Sequence, residues 1–166
     1  MKIFGFAGWS GSGKTTLIEQ LIPRFVDAGL TVSLIKHAHH KFDIDVPGKD
    51  SYRHRKAGAT EVMVASDTRW ALMHELRNER EPSLEELVAR MSPCDLLLIE
   101  GFKHHRQPKL EVYRRENGKP RLHLDDPSIV AIAADSPFDT PLPQFGLDDY
   151  ASIARFVMQF NGFPAP

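Results

Sequence analysis

Apolar residues along this chain fall into short strand-like runs that alternate with segments of helical spacing, the pattern of a largely parallel sheet with helices on its faces. "KIFGFAG" (2–8) predicts the first strand. After a glycine-rich turn, Leu17, Ile18, Leu21, Ile22, Phe25 and Val26 recur at helical spacing; Gly29 marks the stop and Pro23 predicts a kink. "TVSLIKH" predicts a second strand, followed by a polar loop over residues 38–48 and a short helix near 50–56. "TEVMVAS" and "RWALMH" read as two strands joined by a tight turn, and "SLEELVARM" as a helix capped by Ser83 with Glu86 three residues on. The unbroken apolar run of "CDLLLIEG" predicts a buried central strand. "KLEVYRRENGKPRLHL" carries Asn117-Gly118 between two strand-like halves and so predicts a β-hairpin. "SIVAIAAD" is the last expected strand and "DDYASIARFVMQF" the last helix, with residues 136–144 and the final few expected to be loose.

Composition narrows the function classes. The 166 residues suit one domain, 1–166, with a sizeable core. Lys plus Arg (21) nearly balance Asp plus Glu (22), for a net charge of -1, so no overall positive field gathers nucleic acid or an anionic membrane. The one cysteine, Cys94, excludes an internal disulfide and suits a reducing compartment. The first apolar run ends by Gly8, too short for a signal-peptide core, and no window approaches the ~18 apolar residues of a spanning helix, so a cytoplasmic protein is expected.

The turn after the first strand, "GWSGSGKTTL", fits G-x-x-x-x-G-K-[ST] through Gly8, Gly13, Lys14 and Thr15, and it has the required strand before it and helix after it. Glycines in such a loop let successive backbone N–H groups turn towards phosphate oxygens, and the helix N-terminus adds positive potential. Lys14 is expected to reach the β- and γ-phosphates and the Thr15 hydroxyl to ligate Mg²⁺, while Ser10, Gly11, Ser12 and Thr16 complete the phosphate cradle. The expected fold class is therefore an α/β, P-loop NTPase-like domain: a mostly parallel twisted sheet flanked by helices, with an added β-hairpin.

A carboxylate is needed to organise the metal or a water, and Glu100, ending "LLLIE", lies where the phosphate loop also emerges. Asp95, at the other end of that strand, is expected to be remote. The base is less legible. No Asn-Lys or Thr-Lys pair of the guanine-reading kind occurs; Asp135 stands where a base-reading carboxylate could stand, or caps the following turn. Trp9 occupies the place of the extra lysine found in ATPases that share lysines across a dimer. Two histidine groups, His37 with His39 and His40, and His104 with His105, follow strands on the same face; they are a candidate Zn²⁺ or Ni²⁺ site or plain surface histidines. No arginine finger stands out, and neither Arg69 nor Arg106 is assigned that part.

Taken together, "WSGSGKTTL", "LIKHAHH", "D-x-D-x-PGKDSY", "RKAGA", "VAS-x-x-RWALM" and "EGFKH" resemble the molybdopterin-guanine dinucleotide biosynthesis adapter family, MobB, from the first strand to the last, more weakly after about Arg106. The resemblance implies a GTP-binding homodimer of weak intrinsic hydrolysis. It would assist the guanylyltransferase that joins GMP to molybdenum-bound molybdopterin. It also implies that residues 11–16 hold phosphates, that Glu100 takes the metal-side role, and that the loop carrying Asp45 and Asp50 faces nucleotide or partner. Gly8 stands where some members have Ala, a change the loop is expected to tolerate. Three function classes follow: a GTP-binding adapter, a small-molecule kinase, and a nucleotide-driven metal chaperone using His37, His39 and His40.

Overall fold

The computed structural model describes residues 1–38, 42–103 and 105–164. Two compact units are present, one formed by Met1–His37 with Leu87–Pro166, the other by Ala38–Glu86, which interrupts the first in sequence.

The larger unit is a six-stranded sheet built from β1 (Lys2–Ala7), β2 (Val32–Lys36), β5 (Leu96–Glu100), β6 (Lys109–Tyr113), β7 (Ile129–Ala134) and β8 (Gln144–Gly146). The order is β2-β5-β1-β6-β7-β8, and every pairing is parallel. β5 is buried at all five positions, as a strand covered on both faces must be. Helix α1 (Lys14–Asp27) places Leu17, Ile18, Leu21 and Phe25 against Phe4, Phe6, Leu96, Leu98, Leu110 and Val112. Helix α4 (Tyr150–Phe160) adds Ile153, Ala154, Val157 and Met158 to the same core. Its N-cap is Asp149, whose side chain accepts from the Ser152 N–H at 3.2 Å. Helix α1 contains Pro23 and continues past it to Asp27.

The smaller unit contains α2 (Asp50–Ala57) and an antiparallel pair, β3 (Glu61–Ala65) with β4 (Trp70–His74), closed by a turn in which the Ser66 N–H donates to the Arg69 carbonyl at 2.8 Å. The hairpin read from "TEVMVAS" and "RWALMH" is thus present. So is the capping of the helix α3 (Leu84–Val88): the Ser83 N–H donates to the Glu86 carboxylate at 2.8 Å and the Glu86 N–H to Ser83 Oγ at 3.3 Å.

The hairpin expected at Asn117-Gly118 does not form. Both edges of β6 are taken, by β1 and by β7, so no edge is left for an antiparallel return strand. Residues Arg115–Asn117 and Leu122–Leu124 form single 3₁₀ turns instead, with Gly118 in the left-handed region at φ 59°. The Leu122 and His123 N–H groups are captured by the Glu111 carboxylate at 2.6 and 3.0 Å. A sixth strand, β8, also arises inside a stretch that begins as the loose segment expected from sequence; at three residues it carries too little pattern to be read.

A phosphate loop joined to a strand-end carboxylate

The loop between β1 and α1 holds Gly8, Ser10, Gly11, Ser12 and Gly13, and Lys14, Thr15 and Thr16 open α1, as the motif requires. Gly13 is the N-cap of α1, at φ 96°, and no side chain caps the helix; its first turn also lacks acidic residues. The orphan N–H groups of that turn are therefore free for an anion. Ser12 is buried, and its Oγ has no hydrogen-bond partner among the described residues. Such a buried hydroxyl is costly unless something else satisfies it, which suits an oxygen-rich ligand.

Lys14 Nζ donates to the carbonyls of Gly8 at 2.8 Å and Trp9 at 2.9 Å, so the ammonium spans the loop. Burial lowers its pKa from the ordinary lysine value; Glu100 opposes that shift, while Lys103 and Lys36 add to it.

Parallel register delivers Glu100 to the same place. It lies opposite Phe6 of β1 and Lys36 of β2, at the end of β5, and is almost fully buried. The Thr15 hydroxyl donates to Glu100 Oε1 at 2.7 Å. Lys36 Nζ sits 3.2 Å from the same carboxylate oxygen and donates to Thr15 Oγ1 at 3.3 Å. A hydroxyl and a carboxylate are hard oxygen donors of the kind Mg²⁺ prefers, so Thr15 and Glu100 fit the metal expected beside a bound nucleoside triphosphate. Lys36 is a residue that sequence reasoning missed. Its position at the end of the second strand carried the only signal.

Arg114 is a second one. Its Nε donates to the Ser12 carbonyl at 3.2 Å, and its guanidinium lies beside Gly13, 3.5 Å from where a Cβ there would be. The expected hairpin hid it, because that reading placed Arg114 in one of its two strand-like halves. A small cavity of about 90 Å³ beside it is lined by Ser12, Gly13, Thr16, Arg114, Leu147 and Asp148, with Tyr150.

Other expected residues have partners of their own. Asp135 follows β7 and accepts from the Arg115 N–H at 3.0 and 3.2 Å, so its carboxylate ties down the segment after β6. Asp45 and Asp50 belong to the smaller unit. There Asp45 accepts from Ser51 Oγ at 2.8 Å and pairs with Arg55 at 3.4 Å, and exposed Asp50 pairs with Arg53 at 3.6 Å. Arg55 also binds Asp43 and Glu75, at 2.8 and 2.6 Å, and those carboxylates raise its pKa. Asp95 sits at the far end of β5, as expected, bound by the Thr31 N–H and hydroxyl at 2.8 and 2.6 Å. His39, His40 and His104 lie outside the described residues. Among the described residues no group of three or more His, Cys, Asp or Glu is arranged to hold a metal ion.

One expectation is corrected. At Gly8 the backbone lies at φ 156°, and a Cβ would stand 2.4 Å from the Val112 carbonyl oxygen and 2.6 Å from Ser12 Oγ. Alanine is not a mild change in this chain, because β6 passes directly under the loop.

Fold and site together define a P-loop NTPase-like α/β protein. The family model for molybdopterin guanine dinucleotide synthesis protein B (MobB) matches residues 3–135. The chain is 44% identical to the molybdopterin-guanine dinucleotide biosynthesis adapter protein of Escherichia coli (strain K12), over 95% of this chain and 92% of that one. It is 38% identical to the protein of the same name from Haemophilus influenzae, over 93% and 86%. The crystal structure of Bacillus subtilis MobB superposes with a TM-score of 0.77 at 27% identity, covering 96% of this chain and 97% of that one. The chain belongs to the MobB family.

Proposed function

We propose that this protein is a GTP-binding adapter in molybdopterin guanine dinucleotide biosynthesis, holding GTP with Mg²⁺ on the phosphate loop and docking with the guanylyltransferase that uses molybdopterin or its molybdenum form. The observation that carries the nucleotide part is the network joining Thr15, Lys36 and Glu100 at the end of the loop whose carbonyls hold the Lys14 ammonium. Names of the relatives support the pathway and the role of adapter.

Each residue has a part in that reading. Lys14 and the α1 N-terminus bind phosphate charge; Thr15 and Glu100 hold Mg²⁺, which neutralises charge on the phosphates when bound. Arg114, lying on the loop in cis, donates its Nε–H to the Ser12 carbonyl and offers one more cation beside the phosphates. Weak intrinsic hydrolysis is part of the proposal and rests on the family resemblance.

A homodimer is part of the proposal. On β3 and β4, Met63 faces Leu72 and Ala65 faces Trp70, so these four share one face of the pair. Met63, Trp70 and Leu72 are exposed by 60, 66 and 44%. A two-stranded sheet is marginal in water until such a face is covered. No described helix is long and apolar enough to cross a membrane, and we place the adapter in the cytoplasm.

Isothermal calorimetry with Mg²⁺ and GTP, ATP or GDP tests the reading. Tighter binding of GTP than ATP is expected. A preference for ATP overturns it and moves a small-molecule kinase to first place.

A further inference from the structure

Strand β6 is unusual in its alternation. Leu110 and Val112 enter the helical core, as half of a central strand must, but Lys109 and Glu111 on the opposite face are buried too, at 0 and 1% exposure. A charge in such a place is tolerated only when paired and fully hydrogen-bonded. Both are. Lys109 Nζ donates to the Lys103 carbonyl at 2.9 Å, to the His105 carbonyl, and to the Asp126 carboxylate at 2.9 Å. Glu111 accepts from the Leu122 and His123 N–H groups, and its carboxylate lies 2.7 Å from His123 Nδ1.

These two buried charges fix two chain segments, the turn after β5 and the irregular stretch after β6. Between the two is a cavity of about 1010 Å³, the size of a small-molecule site. Its third wall is Trp9, whose indole N–H donates to the Pro120 carbonyl at 2.8 Å. Trp9 immediately follows Gly8, so the cavity lies beside the phosphate loop, and neither Arg114 nor Thr16 lines it.

The lining has a definite chemistry. Lys103, Arg106 and Arg121 all contribute, and Asp126 is neutralised by Lys109, leaving Asp125 as the remaining acid. Lys103 Nζ lies 4.2 Å from the centre of the Trp9 ring, and the Arg121 guanidinium lies 4.0 Å from that of Phe138. Arg106 is exposed and has no hydrogen bond or ion pair among the described residues. Guanidinium forks match the oxygens of a phosphate monoester, and an indole wall with cations near it matches a flat, electron-rich ring.

We propose that this cavity is a second ligand site, taking a small anion that joins a flat heteroaromatic ring to a phosphate monoester, with the phosphate on Arg106 and Arg121. Its placement beside a nucleotide rests on the GTP reading above; its existence does not. The names of the relatives make a pterin phosphate the natural probe.

Calorimetry on the full chain would use neopterin monophosphate, with unphosphorylated neopterin as the control, on wild type, Arg106→Ala, Arg121→Ala and Lys14→Ala. Saturable binding of the monophosphate is expected, weakened about tenfold by loss of the phosphate or by either arginine change. Lys14→Ala is expected to leave it unchanged, and Arg106→Ala to leave GTP binding unchanged. Because Arg106 is exposed, its removal does not threaten folding. The proposal is overturned by absence of saturable binding to wild type, by equal affinity for neopterin, or by indifference to both arginine changes. Loss of binding in Lys14→Ala also overturns it, since the phosphate would then sit in the loop. Pterin binding without GTP binding keeps this site and removes the nucleotide reading; the reverse removes this site alone.

Discussion

At Gly8 the phosphate loop has no space for even one carbon, because Val112 lies beneath it. Gly8→Ala is expected to displace the loop at a cost of about 1–3 kcal/mol from the backbone alone, lowering Tm by about 2–4 °C per kcal/mol and weakening nucleotide binding; thermal melts with and without GTP check this. Lys14 and Glu100 separate binding from turnover. Lys14→Ala is expected to weaken GTP by about 10- to 100-fold, since it removes a charge-assisted contact to phosphate, and unchanged calorimetric affinity would sink the assignment. Glu100→Gln keeps the shape and one acceptor oxygen, so hydrolysis is expected to fall more than affinity. Equal loss of both, measured by phosphate release and calorimetry, would make Glu100 a structural residue. Because burial lowers the Lys14 pKa, GTP affinity is also expected to decline on the alkaline side before an exposed lysine would discharge.

The smaller unit's hairpin carries a pH-dependent tie. His74 sits directly across from Glu61 and 2.8 Å from its carboxylate, with Glu79 at 3.3 Å on the other ring nitrogen. The bond to Glu61, and then that to Glu79, raises the His74 pKa, so the folded state favours the charged ring. That stabilisation is complete below the unfolded value of 6.5 and is lost as pH rises through the higher folded value. Denaturation midpoints of wild type are expected to fall across that window relative to His74→Gln, which has no charge to lose. Parallel slopes for the two proteins would show that His74 contributes nothing.

For the molecule as a whole, the exposed Met63, Leu72 and Trp70 face predicts self-association. Leu72→Asp places a charge in the middle of that face and is expected to convert a dimer to monomer in analytical ultracentrifugation while leaving GTP affinity unchanged. A wild-type monomer at tens of micromolar would remove the homodimer from the proposal. The same scale governs the sheet. Six parallel strands bring the ends of β1, β2 and β5 together, so residues far apart in sequence, Thr15, Lys36 and Glu100, meet within hydrogen-bonding distance.

Read alone, the sequence determined the alternation of strands and helices, the phosphate loop, Glu100 and the family strings. Each of these depends on local spacing: a period of two or 3.6, or a motif within ten residues. Tertiary structure decided what depends on pairing. The Asn117-Gly118 turn had a hairpin signal, yet β6 had no free edge, and the Glu111 carboxylate took the N–H groups that a return strand would have used. Arg114 and Lys36 joined the phosphate loop only because parallel register set strand ends side by side. The cavity beside Trp9 depends on buried Lys109 and Glu111, and no local pattern announces a charged residue whose partners arrive from two other segments.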